Sequence, residues 1–185
     1  MKTSSLLTMA LLIQAGRLAA QHEPVEPNRS ATRRVAFAQH CFWTGEMKLG
    51  QIEGVVRTEA GFFQGREVTL VHFASDRISL EELARKASQA GVADMLYLEP
   101  ASGPQQTANL AVPLGKPLDQ TYRVAPASDQ KKQIAGTPFA GLRLTPDQAT
   151  KVNAFARANP DRVWNGSLPF SGSNSGRRNK AHSLP

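Results

Sequence analysis

Short apolar runs in the first half of the chain predict three strands, with a helix between the first two. Residues 35–38 are continuously apolar, which is typical of a buried strand. Residues 55–60 predict a second strand that Gly61 ends, and the apolar, β-branched segment 67–73 predicts a third. A helix is expected to begin at or just after Cys41, because the residues that follow it contain no proline.

Two later helices are predicted from the residues at their N-termini. Ser79 is followed three residues later by Glu82, a capping-box sequence, so a helix is expected from there to about residue 90. Thr145 stands where an N-cap is needed, directly before Pro146, which suits the first helical position. This second helix is expected to end at about Ala158, before an Asn-Pro pair.

The order of these elements predicts the fold class. Strand, helix, strand, strand and helix follow one another without internal repeats, and residues 120–124 predict a fourth strand after a loop at 100–118. This order is typical of a compact α+β domain. We expect a ferredoxin-like, two-layer sandwich in which helices flank one mixed or antiparallel sheet.

The ends of the 185-residue chain differ from its middle. Residues 1–20 resemble a signal peptide, with a positive start, an apolar run too short to cross a membrane, and small residues at its end. Residues 21–32 are polar and contain two prolines, as linkers do. Residues 165–185 are rich in Gly, Ser, Asn and Pro, which predicts a disordered basic tail. The folded domain is therefore expected at 33–164, in an exported protein that is periplasmic or secreted.

The formal charge of +7 lies mostly in those ends. Segments 1–20 and 165–185 carry five of the positive charges and no acidic residue, which leaves +2 for residues 21–164. A nearly neutral domain argues against nucleic-acid binding. The basic tail is able to touch an anionic surface, but a solvated chain end is the plainer interpretation.

The single cysteine excludes several classes of protein and raises one chemical question. One cysteine forms no intramolecular disulfide and no cysteine-based zinc site. In an exported protein, Cys41 is a buried inert thiol, a partner in an intermolecular disulfide, or a nucleophile. Its position between a strand and a helix start favours the nucleophile, because helix N-termini stabilise thiolates. The histidines are scattered and suggest no metal site: His22, His40, His72 and His182.

The sequence around Cys41 resembles the signature of the A-type peptide methionine sulfoxide reductases. Residues 35–46 read Val-Ala-Phe-Ala-Gln-His-Cys-Phe-Trp-Thr-Gly-Glu, which is similar to the Gly-Cys-Phe-Trp-Gly-x-Glu core of that family. The similarity extends over roughly 35–155 with gaps. Its further segments are 51–61, 67–73, 78–83, Thr121-Tyr122-Arg123 and 144–148.

The resemblance implies a role for each matching residue. In the family, a cysteine thiolate attacks the sulfur of methionine sulfoxide while a carboxylic acid protonates the oxygen. Cys41 matches the nucleophile, and Glu67, at the start of an apolar strand, matches the acid. Phe42 and Trp43 match the pocket for the methyl group on sulfur. Glu46 is the competing carboxylate, but in a helix it lies more than one turn beyond Cys41, and it resembles a structural glutamate of the family.

The chemistry supports the need for such an acid independently of the resemblance. A sulfoxide oxygen leaves poorly unless it is protonated, so the reaction requires a general acid near the nucleophile. A carboxyl group in an aromatic, partly dry pocket is protonated more readily at neutral pH than one in water.

Other matches to the family are incomplete. Tyr122 matches one of two tyrosines whose hydroxyls hold the sulfoxide oxygen, whereas Phe62 stands at the second position and has no hydroxyl. Asp119 is a candidate for a substrate-binding aspartate, although an ordinary loop aspartate is an equally good interpretation. His40 replaces the glycine before the cysteine, either as a hydrogen-bond donor near the thiol or as a strand-end side chain that points away.

The absence of a second cysteine defines the expected catalytic cycle. Attack on the sulfoxide leaves Cys41 as a sulfenic acid, which an external thiol must resolve. The expected protein is a monomeric peptide-methionine (S)-S-oxide reductase that acts on free or protein-bound methionine sulfoxide. It holds no bound cofactor, takes its reducing thiol from a thioredoxin-like protein or a small molecule, binds no nucleic acid and has no membrane span.

Two alternatives stay open. A long family loop before Glu67 is missing, as is a His-Asp pair at about 91–97, so the chain is alternatively a catalytically impaired relative that binds oxidised peptides or another partner. A weaker third interpretation is a redox sensor, similar to a thiol peroxidase, that uses the same cysteine.

Overall fold

A computed structural model describes residues 32–100 and 109–157 of the chain. The proposed signal peptide, nearly all of the proposed linker and the C-terminal tail lie outside these residues. The strands are β1 (Thr32–Ala38), β2 (Val55–Phe63), β3 (Arg66–Ala74), β4 (Met95–Leu98) and β5 (Arg123–Val124). The α-helices are α1 (Phe42–Gln51), α2 (Leu80–Gln89) and α3 (Pro146–Phe155), with short 3₁₀ helices at Ala127–Asp129, Lys132–Ile134 and Pro138–Gly141.

The topology confirms the predicted α+β fold class. The strands form one sheet in the order β4-β1-β3-β2-β5, and every neighbouring pair of these strands is antiparallel. The run β1-α1-β2-β3-α2-β4 with the strand order 4-1-3-2 is the ferredoxin-like arrangement. The helix α3 adds to this core by packing against α1 and β2.

The two faces of the sheet carry different cores. The face that α1 and α2 cover, called the inner face below, holds the larger apolar cluster, to which Leu49 of α1 and Leu83 of α2 contribute. Its strand residues include Val35, Phe37, Val71 and Phe73. The opposite, outer face holds a smaller cluster that the loop residue Leu118 covers, and which contains Ala36, Ala38, Val68, Leu70 and Tyr97. Strand side chains alternate between the two faces, so the positions of these two clusters show on which face each remaining strand side chain lies.

The helix starts agree with the predicted capping residues. The Ser79 hydroxyl accepts a hydrogen bond from Glu82 N–H at 3.1 Å, and Thr145 and Gln148 form a reciprocal capping box at the start of α3. The end of α3 was predicted too late, since the helix stops at Phe155. Arg157 lies in the turn that follows and donates to the carbonyl of Ala135.

Two strand predictions are wrong in their extent, and one strand was missed. Gly61 does not end β2, which continues to Phe63, because this glycine pairs in the ladder between Val68 and Val124. The strand β4 was not predicted, since its four residues are too few to show a period. The predicted strand at 120–124 is reduced to the two residues of β5.

Side chains rather than a neighbouring strand occupy part of the edge of β2. Thr58 N–H donates to Thr150 Oγ1 at 3.0 Å, and Ala60 N–H donates to Gln130 Oε1 at 3.0 Å. In return, Gln130 Nε2 donates to the carbonyl of Ala60, and Lys131 Nζ donates to the carbonyl of Thr58. These backbone groups are therefore paired although β5 reaches only residues 61 and 62.

None of the three α-helices is long enough to cross a bilayer. Each has ten residues, and within 32–100 and 109–157 no helix combines the length and apolarity that a membrane span needs.

Candidate functional site

Cys41 is the N-cap residue of α1. Its backbone is extended, with φ −143° and ψ 116°, and its carbonyl accepts the first helical hydrogen bond from Gly45 N–H at 3.0 Å. The Cys41 side chain makes no capping hydrogen bond and is partly exposed. Cys41 therefore lies at the positive end of the helix macrodipole, and solvent reaches the residue.

Glu67 lies at the same helix end. Its Oε2 accepts a hydrogen bond from Phe42 N–H at 2.8 Å, so the carboxyl group satisfies a free amide in the first turn of α1. The strand register produces this contact, because Glu67 pairs with Phe62 near the start of β3 and faces inward. The structure thus brings the Glu67 carboxyl group to the backbone amide of the residue that follows Cys41, although the two residues are far apart in sequence.

Three aromatic rings line the inner face beside Cys41. Phe42 packs edge-on against Phe62 with ring centroids 5.4 Å apart, and Trp43 lies 6.1 Å from Phe42 at a tilt of 47°. Ala60 and Ala125 complete this cluster. The three predicted apolar residues therefore form one surface at the helix N-terminus.

Trp43 has an unusual environment within this cluster. The ammonium group of Lys132 lies 4.8 Å from the centroid of its ring, within the range of a cation–π interaction. Its indole nitrogen is buried and has no hydrogen-bond partner among the residues that the structure describes. A buried donor without a partner costs about 1–3 kcal/mol, so this group calls for an explanation.

Glu46 supports the helix rather than facing the thiol. It is fully buried, and its carboxylate accepts hydrogen bonds from Lys131 N–H at 2.7 Å and from Lys131 Nζ. The Thr58 hydroxyl adds a longer contact of 3.4 Å. This ion pair fixes the loop that carries Gln130, Lys131 and Lys132 against α1. Its contacts agree with the structural role that the resemblance implies for Glu46.

Gly45 allows α1 to lie close to the sheet. A Cβ atom at this position would come within 2.5 Å of Thr69 Oγ1 and 2.7 Å of Gln39 Nε2. The Gln39 amide and the Thr69 hydroxyl are themselves hydrogen-bonded at 2.8 Å beneath the helix. A glycine here lets the first turn of α1, with Cys41 at its end, pack directly on β3.

The structure places Tyr122 on the outer face. Its hydroxyl donates to Glu59 Oε1 at 2.8 Å, and its ring occupies the space where a Cβ of Gly61 would lie. Glu59 and Gly61 alternate with the inward-facing Ala60 and Phe62, so the sheet separates Tyr122 from the aromatic cluster. Burial raises the pKa of Tyr122 far above its usual value, and the hydrogen bond and charge of Glu59 raise it further. The structure therefore does not bring Tyr122 to Cys41.

Asp119 and His40 are both exposed at the surface. The exposed Asp119 carboxylate accepts hydrogen bonds from the Thr121 amide at 2.8 Å and hydroxyl at 2.6 Å, which lower its pKa. Its backbone carbonyl accepts from Tyr122 N–H at 3.1 Å, so Asp119 organises the turn before β5. His40 is exposed and lies between β1 and α1, directly before Cys41.

Several residues that shape the site were not singled out from the sequence. Arg123 pairs with Phe62 across β2 and β5, so it is Arg123 rather than Tyr122 that shares the inner face with the aromatic cluster. Lys131 and Lys132 lie in a loop without any periodic pattern, and nothing in the sequence signalled their contacts with Glu46 and Trp43. A depression of about 300 Å³ beside Phe62 is lined by Phe62, Phe63, Gln64, Gly65, Thr121 and Arg123.

The described residues offer no obvious place for a metal ion. Across 32–100 and 109–157, no three His, Cys, Asp or Glu side chains converge in the manner of a metal site. The chemistry available at α1 is that of a thiol, a carboxyl group and an aromatic surface.

Two comparisons bear on the identity of the chain. No protein-family model matches the chain, and no curated protein matches it significantly. The fold and the geometry around Cys41 therefore carry the functional conclusion.

Proposed function

We propose that this chain is a single-cysteine peptide-methionine (S)-S-oxide reductase, as its sequence resemblance implies. The observation that supports the proposal most is the 2.8 Å hydrogen bond between Phe42 N–H and Glu67 Oε2. It holds a carboxyl group one residue from the partly exposed Cys41 thiol, at a helix N-terminus and beside three aromatic rings. Nucleophile, acid and apolar surface are the three parts that sulfoxide reduction needs.

Each part has a defined role in the proposed reaction. The Cys41 thiolate attacks the sulfoxide sulfur while Glu67 transfers a proton to the oxygen. The sulfur–oxygen bond of the substrate breaks, and the oxygen passes to Cys41 as a sulfenic acid. Methionine leaves as a thioether, so the substrate gains two electrons and the cysteine sulfur loses two.

An external thiol completes the cycle. A first thiol attacks the sulfenic acid, releases water and forms a mixed disulfide, and a second thiol displaces Cys41 as a disulfide forms between the two reductants. The partial exposure of Cys41 gives such a thiol access. We further propose that residues 1–20 direct export, so that the substrates are oxidised methionines outside the cytoplasm. Repair there restores an apolar side chain that oxidation made polar.

The direct test is turnover by the purified protein. Racemic methionine sulfoxide is incubated with dithiothreitol and either the wild-type protein or Cys41→Ser, and methionine is quantified. We expect the wild type to consume the S epimer and the variant to be inactive. Without dithiothreitol, mass spectrometry is expected to show one added oxygen at Cys41. A folded wild-type protein that gives neither methionine nor the oxygen adduct would contradict the proposal.

A binding module for oxidised peptides is the second candidate. The observation that favours it is the absence of a phenol at the aromatic cluster, since Phe62 has no hydroxyl and Tyr122 lies on the outer face. Sulfoxide-peptide binding without turnover, measured by calorimetry on the same preparation, would support this candidate. Consumption of peroxide without sulfoxide reduction would instead favour the redox sensor.

A further inference from the structure

In the family that the chain resembles, the sulfoxide oxygen has hydrogen-bond donors in addition to the catalytic acid. The two positions that the resemblance assigns to this task supply none. Phe62 lies in the aromatic cluster but has no polar atom, and the Tyr122 hydroxyl donates to Glu59 across the sheet. The proposed reaction therefore leaves one donor role open.

Trp43 carries a donor that none of the described residues accepts from. Its indole N–H is buried and unpartnered among the described residues, in a fold where nearly all such groups are paired. The Trp43 ring belongs to the aromatic cluster beside Cys41. Trp43 is also the second residue of α1, the helix that Cys41 caps. An unpaired N–H group at the aromatic cluster is suited to donate a hydrogen bond to a bound substrate.

We propose that the Trp43 indole N–H donates a hydrogen bond to the sulfoxide oxygen and takes the place of the missing phenols. This inference rests on the proposed reductase function, because it assigns an oxygen-binding residue to that reaction. The hydrogen bond holds the oxygen while Glu67 protonates it and Cys41 attacks the sulfur. Trp43 then recognises the sulfoxide by its oxygen as well as by its methyl group.

The Trp43 nitrogen is buried, so a substrate reaches it only when a neighbouring side chain moves, and Lys132 is a weakly held neighbour of the ring. Its ammonium lies over the Trp43 ring and is otherwise held by the Ser128 carbonyl at 3.1 Å and the Asp129 carboxylate at 3.8 Å. The Lys132 side chain is 40% exposed, so these contacts are weak and its displacement by a substrate costs little.

The experiment is an NMR titration of the indole signals in the Cys41→Ser protein, which binds substrate without reacting. Trp43→Phe in the same background assigns the Trp43 signal, and Trp164 supplies a second indole as an internal reference. The probes are methionine S-sulfoxide and methionine, which differ only in the oxygen. We expect the sulfoxide to move the Trp43 indole proton downfield and methionine to leave it nearly unchanged. Equal shifts with both probes, or no shift with either, would overturn the inference.

A kinetic measurement adds an independent readout. Trp43→Phe keeps an aromatic ring and removes the donor, so kcat/KM for sulfoxide reduction is expected to fall about tenfold in a protein with a native-like spectrum. Unchanged kcat/KM would count against the inference. If the wild type shows no turnover, the proposed function fails, while the titration still decides whether Trp43 binds the sulfoxide oxygen.

Discussion

The inner and outer faces of the sheet each carry a glutamate that accepts a hydrogen bond, but the two glutamates have different surroundings. On the inner face, Glu67 accepts a hydrogen bond from a helix amide beside a partly exposed thiol and aromatic rings. On the outer face, Glu59 accepts one from the Tyr122 hydroxyl over Gly61, with no cysteine nearby in the strand register. The two glutamates belong to adjacent strands and differ in the face they reach.

This difference teaches that the face on which a strand side chain lies decides whether it can reach the candidate site. The Tyr122-Arg123 pair resembles a family segment in which the tyrosine binds substrate, yet the pairing of Arg123 with Phe62 turns Arg123 inward and Tyr122 outward. A sequence match places a residue on a strand, and the register then selects the face.

The largest expected effect compares the two carboxylates directly. Glu67→Gln removes the proposed acid, so kcat/KM for sulfoxide reduction is expected to fall by about 10²–10⁴. Glu59→Gln keeps an acceptor for Tyr122 on the outer face and is expected to change kcat/KM less than about twofold. Steady-state kinetics gives kcat/KM for both variants and for the wild type. Similar losses in the two variants would remove the functional distinction between the faces.

The next effect concerns the ion pairs of each face. Glu46→Gln leaves Lys131, whose side chain is only 15% exposed, without its partner, and is expected to lower the free energy of unfolding by about 3–5 kcal/mol. Glu99→Gln breaks the exposed pair with Arg34 and is expected to cost about 0–1 kcal/mol. Urea denaturation of both variants gives the comparison. Equal costs would mean that the Glu46–Lys131 pair is not a principal support of α1.

A smaller effect tests Tyr122 itself. Tyr122→Phe removes one hydrogen bond to Glu59, so we expect a loss of about 1 kcal/mol in stability and a kcat/KM within about twofold of the wild type. Chemical denaturation and steady-state kinetics on the same preparation separate the two quantities. A large loss of activity with little loss of stability would show that Tyr122 reaches the substrate from the outer face.

The smallest effect is a pH dependence that belongs to the outer face. Burial lowers the pKa of His72 from 6.5, and the neighbouring Arg57 and Arg34 lower it further, against opposing contributions from Glu59 and Asp147. The unfolded chain therefore binds a proton more readily, so the stability that neutral His72 provides is complete above about pH 6.5 and is lost as the pH falls. His72→Gln is expected to flatten the stability profile between pH 7 and pH 5 by a fraction of a kcal/mol. Urea denaturation at each pH gives the free energy of unfolding. If that free energy changes with pH equally in the wild type and in His72→Gln, His72 is not the source of the pH dependence.

Much of the fold follows from the sequence because its signals are local. The runs at 35–38 and 67–73, the cap residues Ser79 and Thr145, and the helix start after Cys41 depend only on neighbouring residues. The strand β4 is different, because its four residues become a strand by pairing with β1, which lies far away in sequence.

The candidate site was predictable only in part, for the same reason. The N-cap position of Cys41 and its aromatic neighbours are local features, whereas the contact of Glu67 with the Phe42 amide depends on the register of β2 and β3. The Lys131 and Lys132 contacts depend on a loop whose path no periodic pattern describes. The outward position of Tyr122 follows from the pairing of Arg123 with Phe62, and Gly61 leaves room for its ring.

The side chains along the edge of β2 have a consequence for how this protein meets other copies of itself. An open strand edge is a template on which a second chain can grow by backbone pairing, the first step toward domain swapping or amyloid. Here the Gln130 amide occupies both the N–H and the carbonyl of Ala60, as a passing strand would. Replacing Gln130 by an apolar residue of similar size would leave the Ala60 N–H without this partner and raise the tendency to aggregate. The segment that places Lys132 over Trp43 therefore also protects the edge of β2 from pairing with a second chain.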